Sequence, residues 1–118
     1  MSELKRIGAG SRMSEAVIYD GKIYMAGIVA DKMVGKPVFE QTKEILEQID
    51  DILAQAGSDK TRILKANIWL TDIKTFAEMN KAWDAWAVAG KTPARATVES
   101  KLAAAGYDVE IMVEAAVN

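Results

Sequence analysis

Apolar residues recur along this chain in two rhythms. Between Val38 and Ala56 the apolar and small positions Val38, Phe39, Thr42, Ile45, Leu46, Ile49, Ile52, Leu53 and Ala56 follow three- and four-residue spacing. That period predicts an amphipathic helix stopped by Gly57. Lys43, Glu44, Glu47, Asp50 and Asp51 fall on its opposite side and read as a solvated face. A second helix is expected from the stripe Phe76, Met79, Trp83 and Trp86, which reads as core packing and ends by Gly90. Asp72 or Thr75 is its expected cap, and Thr75-Phe76-Ala77-Glu78 fits a capping box.

Elsewhere the period is two. Tyr107 to Val117 sets Val109, Ile111, Val113, Ala115 and Val117 against Glu110, Met112, Glu114 and Ala116. Ile63 to Thr71 sets Leu64, Ala66, Ile68 and Leu70, a core face, against Lys65, Asn67, Trp69 and Thr71. Leu4 to Ala9 is a short strand, and Glu15 to Tyr19 and Lys22 to Val29 form a hairpin across Asp20-Gly21. Ala26-Gly27 within the third strand signals either close approach by another backbone or a ligand, or a bulge. The order β-β-β-α-β-α-β-β predicts a two-layer α+β domain, a mixed six-stranded sheet with two helices on one face. The other face carries Trp69, Met112 and several alanines, more apolar than a solvated face should be. An oligomer is therefore expected.

The run Thr92-Pro93-Ala94-Arg95-Ala96-Thr97-Val98-Glu99 reads as a strand beginning after Pro93. Arg95, Thr97 and Glu99 then share one face, and Ala94, Ala96 and Val98 the other. A guanidinium is a planar fork of donors that matches a carboxylate and stays charged, so Arg95 suits a small organic acid. A plain ion pair with a glutamate of the next strand is the competing reading. The last strand is the expected hairpin partner and would bring its glutamates toward Arg95, although a one-residue slip would exchange its faces.

Composition narrows the chemistry. A chain of 118 residues is expected to form a single domain over 1–118. Its net charge of −2, with acids and bases interspersed, lacks the basic stripe of a nucleic-acid binder. It has neither cysteine nor histidine, which removes thiol nucleophiles, Ser-His pairs and His/Cys zinc sites. Proton transfers must use Glu, Asp, Lys, Tyr or water, and no motif supports a carboxylate magnesium site. The Met-Ser-Glu-Leu-Lys-Arg start lacks a signal-like apolar run and no stretch suits a membrane span, so a cytoplasmic protein is expected.

Phe76-Ala77-Glu78-Met79-Asn80 with Trp83 and Trp86, Pro93-Ala94-Arg95 with Val98-Glu99, and Val109-Glu110-Ile111 together resemble the RidA family. This is the YjgF family of enamine/imine deaminases, also labelled L-PSP endoribonuclease. Arg12-x-Ser14 and Met79-Asn80-Lys81-Ala82-Trp83-Asp84-Ala85-Trp86 are similar to its YoaB-like branch. The resemblance implies a chorismate-mutase-like fold, a homotrimer with intersubunit clefts, and cofactor-free, metal-free hydrolysis of imines such as 2-aminoacrylate to 2-keto acids and ammonia. It assigns Arg95 to the substrate carboxylate and Glu110 to the attacking water, making them the catalytic pair. Thr97 stands where members often carry cysteine, and Gly27 matches the strand position that approaches the ligand. Ala26 replaces a usual serine or threonine and Met13 a usual tyrosine, with Arg12 the candidate replacement contact. These departures suit a larger apolar imino acid, or a sensing module that binds small carboxylates without turnover. A ribonuclease is disfavoured by the charge and the absence of histidine.

Overall fold

The computed structural model describes residues 3–117. Its elements run β1 (Lys5–Ile7), β2 (Ala16–Tyr19), β3 (Lys22–Met25), β4 (Ile28–Val29), α1 (Val38–Gln55), β5 (Ile63–Leu70), α2 (Phe76–Trp86), β6 (Ala94–Glu99) and β7 (Val109–Ala116). Short 3-10 turns, Lys60–Arg62 and Ile73–Thr75, lead into β5 and α2. The sheet order is β1-β2-β3-β7-β5-β6, with β4 also paired to β7. Every pairing is antiparallel except β5 with β6. This is the expected mixed α+β architecture with one strand more than the sequence suggests.

The extra strand arises because the third expected strand breaks at Ala26-Gly27. Met25 and Ile28 are both buried although three residues apart, so the chain bulges between them to return its apolar side chains to the core. Asp20 and Gly21 both have positive φ, 52° and 77°, the two-residue turn that matches strand twist.

Alternation puts Ile23, Met25, Ala66, Ile68, Leu70, Val109, Ile111, Val113 and Ala115 on one side of the sheet. They pack against Ile45, Leu46, Ile49, Leu53, Met79 and Trp83 of the helices. Leu64 departs from its expected core position and is 48% exposed. A register shift between Ile63 and Lys65 gives its place to Ile63.

Hydrogen bonding at the helix ends also differs from expectation. The Thr75–Glu78 capping box does not form, because Thr75 Oγ1 donates to the Asp72 carbonyl and Thr75 makes no side-chain cap bond. Glu78 instead reaches across to α1, where Pro37 supplies no side-chain cap, and accepts from the Phe39 N–H at 2.9 Å. Asp72 caps the preceding 3-10 turn by accepting from Lys74 N–H.

The acidic side of α1 is more than a solvated face. Glu44 accepts from the N–H groups of Asp31 and Met33, while Asp50 accepts from the Trp86 indole at 3.0 Å. Partial burial pushes the Glu44 carboxyl upward, but the Met33, Asp31 and Lys32 N–H groups and the Gln48 amide outweigh it. The net result lies below the ordinary glutamate value.

Candidate functional site

β6 lies at one edge of the sheet, and its register on β5 decides where Arg95 points. Arg95 pairs with Ala66, Thr97 with Ile68 and Glu99 with Leu70. Directly paired residues share a face, and Ala66, Ile68 and Leu70 are core residues. Arg95, Thr97 and Glu99 therefore share a face, as the alternation predicts, and it is the helix side.

There α2 receives the arginine. The Arg95 guanidinium carbon lies 5.0 Å from the Trp83 ring centre and 5.7 Å from that of Phe76, within cation–π range. The stripe read as core is thus divided. Met79 and Trp83 are buried, whereas Phe76 is 41% exposed beside the cation. Among the described residues, Arg95 makes no ion pair and no side-chain hydrogen bond. Burial lowers its pKa and the Asp84 carboxylate partly restores it, yet a guanidinium keeps its charge. Glu99, the local candidate for neutralising it, accepts from the Ile73 N–H at 3.0 Å. Thr97 Oγ1 is buried and has no hydrogen-bond partner among the described residues.

Glu110 lies on the other face of the sheet. Its cross-strand neighbours are Trp69 of β5 and Val29 of β4. The Gly27 backbone comes so near that an added Cβ would fall 2.0 Å from Glu110 Oε2 and 2.9 Å from its Cδ. The bulge reading of Ala26-Gly27 holds, and what approaches Gly27 is a carboxylate side chain of the same chain, not another backbone or a ligand. Ala26 N–H donates to the Glu15 carbonyl at 2.9 Å.

Two expectations about this pair are corrected. β6 pairs with β5 in parallel and does not form a hairpin with β7, which is inserted between β3 and β5. Arg95 and Glu110 consequently occupy opposite faces within one chain and do not meet. Arg12 and Met13 sit on the exposed loop between β1 and β2, Met13 being 58% exposed with its carbonyl accepting from Gly10 N–H. No hydrogen bond or ion pair joins Arg12 to Glu110 among the described residues.

The concavity between the acidic side of α1 and segment 31–33, and the groove between α1 and α2 floored by Leu46 and Ala82, contain neither Arg95 nor Glu110. Among the described residues, no cluster of three or more ligating side chains is placed to hold a metal ion. No helix there is long and apolar enough to cross a membrane. Phe76 and Trp83 were missed as site residues. The available signal was their seven-residue spacing, which puts two rings on one helix face ahead of the arginine strand.

A mixed sheet with two helices on one side, an arginine on its parallel edge strand and a glutamate against a glycine bulge defines a domain of the YjgF type. The chain belongs to the family described as endoribonuclease L-PSP, whose profile matches residues 3–117. RutC family protein YoaB of Escherichia coli is 46% identical over 112 residues, covering 95% of this chain and 96% of that one. The crystal structure of a YjgF family member from Neisseria meningitidis superposes with a TM-score of 0.94 at 44% identity, covering 98% of this chain and 96% of that one. At greater distance, the rat 2-iminobutanoate/2-iminopropanoate deaminase is 30% identical over 116 residues, 94% of this chain and 84% of the rat protein.

Proposed function

We propose that the protein hydrolyses 2-imino acids, and the enamines in equilibrium with them, to 2-keto acids and ammonia. The observation that carries this reading is Arg95. It is a half-buried cation held over two aromatic rings, with no carboxylate of its own chain bound to it. A carboxylate from outside is the natural complement to that fork. The distant relationship to the rat deaminase supports the reaction class.

In the proposed reaction Arg95 holds the carboxylate and withdraws electron density from C2. Water adds to C2 of the imine while Glu110 accepts its proton. The C=N electron pair passes to nitrogen, which takes that proton back from Glu110 to give a neutral carbinolamine. Glu110 then takes the carbinolamine hydroxyl proton and hands it to nitrogen, so the C=O bond forms as the C–N bond breaks and ammonia leaves. Thr97 supplies a hydroxyl two residues along the same face as Arg95, and the Ala26-Gly27 bulge shapes the wall beside Glu110. Arg12 and Met13, on the exposed loop between β1 and β2, remain candidate contacts to the acid from the copy that completes the cleft. No cofactor or metal is required.

Because Arg95 and Glu110 lie on opposite faces of one sheet, the proposed cleft is completed by a neighbouring copy. A homotrimer offers three such clefts. The uncovered sheet face supports assembly, since Val98 is 50% and Tyr24 41% exposed near the half-buried Trp69 and Met112.

The test is keto-acid release from enzymatically generated 2-aminoacrylate and from a bulkier imino acid, comparing wild type with Arg95→Ala. Acceleration that disappears in the variant is expected, and Glu110→Gln should lose about 10²–10⁴-fold in rate. Absence of acceleration by folded, assembled protein would overturn the proposal. It would favour a second reading, a non-catalytic module that binds or senses 2-keto acids. Ala26 and Met13, which offer no hydroxyl to a water, favour that alternative. Its signature is a melting temperature raised by 2-keto acids without turnover. The nuclease activity in the family description gains no support from a chain with net charge −2 and no histidine.

A further inference from the structure

The two rings that hold Arg95 are not equivalent. Trp83 is 5% exposed and backs the guanidinium from inside, whereas Phe76, two helical turns earlier on the same face, keeps 41% of its surface open beside the cation. A core residue would be covered, but this ring stays open 5.7 Å from a half-buried arginine. The exposed ring therefore borders the place where a carboxylate on Arg95 must lie.

Bidentate pairing makes a carboxylate coplanar with the guanidinium. If C2 of the bound acid is an imine, enamine or ketone carbon, the molecule continues in that plane and its flat face can lie along the ring. If C2 is tetrahedral with its hydroxyl or amino group on the side of the ring, as in a 2-hydroxy or 2-amino acid, that group meets the wall, whereas the water of the proposed hydrolysis adds from the face of C2 turned away from Phe76. We infer that Phe76 is a specificity-determining residue whose exposed ring selects acids with a trigonal C2 over saturated acids of equal length and charge. This rests on Arg95 binding carboxylates, and it names the chemical class the site accepts. It would also keep amino acids, the abundant saturated relatives of the substrate, from filling the site.

The test uses the assembled wild-type protein and two ligands matched in chain length and charge, 2-oxobutanoate and 2-hydroxybutanoate. Binding is followed by NMR at the Arg95 Nε–H signal, identified by its loss in Arg95→Lys. The wild type is expected to bind the oxo acid about five- to tenfold tighter. Phe76→Leu and Phe76→Met should bring that ratio close to one while the Arg95 signal still responds, and Phe76→Tyr should restore it. Equal binding of both acids by the wild type, or an unchanged ratio in both ring-removing variants, overturns the role of Phe76 alone. If neither acid moves the Arg95 signal, the carboxylate-binding reading fails and this inference falls with it.

Discussion

Gly27 is not one of the glycines with positive φ, so its backbone could carry a side chain; what it supplies is room. A methyl group there would collide with the tip of Glu110, a flexible side chain that can swing away while the backbone stays put. Gly27→Ala is therefore expected to displace the carboxylate and leave the fold intact. Keto-acid release should fall about a hundredfold, the usual consequence of misplacing a catalytic group by an ångström. The melting temperature should move by less than about 4 °C. An unchanged rate, measured beside a thermal melt, would show that the position of Glu110 does not matter. Arg95 is legible as a candidate from its own strand, a guanidinium among small and branched residues, whereas Thr97 and Glu110 become candidates only through the family resemblance of their motifs. Phe76 was not legible, since its place on the stripe is the same whether the facing surface is core or cation.

Among the elements, α1, β5 and β7 could be read from periodicity because each buries one whole face. The partner of β6 could not be read from its own residues, as pairing depends on which sheet edge remains open. The clue lay between the strands. A helix connecting two strands is the normal crossover of a parallel pair, and β5-α2-β6 is such a unit. Capping of one helix by the other was equally hidden, because Glu78 has the right spacing for a local box yet bonds a helix 39 residues away in sequence. Glu44 provides a test of such ties between elements. Folding favours its charged form, so its contribution to stability is fully present above the ordinary glutamate pKa and disappears as pH falls through the lower folded-state value. Glu44→Gln should therefore lower the melting temperature at neutral pH, with the gap to wild type closing in acid below about pH 4. A gap that stays constant with pH would refute this.

For the whole molecule, the separation of Arg95 from Glu110 by the thickness of a sheet makes a prediction that needs no crystal of the assembly. Arg95→Ala and Glu110→Gln should each be inactive alone. If each cleft takes the arginine of one copy and the glutamate of the next, random mixing of the two variants in a closed ring restores about a quarter of the clefts. Co-unfolding and refolding equal amounts should thus recover roughly that share of wild-type turnover, and no recovery would mean that the two residues never serve one cleft. The same separation has a consequence for the life of a single chain. On this reading a newly made copy is complete in fold but chemically silent, carrying half of one cleft on its helix side and half of another across the sheet. Turnover per chain would then rise with protein concentration and vanish on dilution without any melting, so the cell could set the onset of activity through abundance alone.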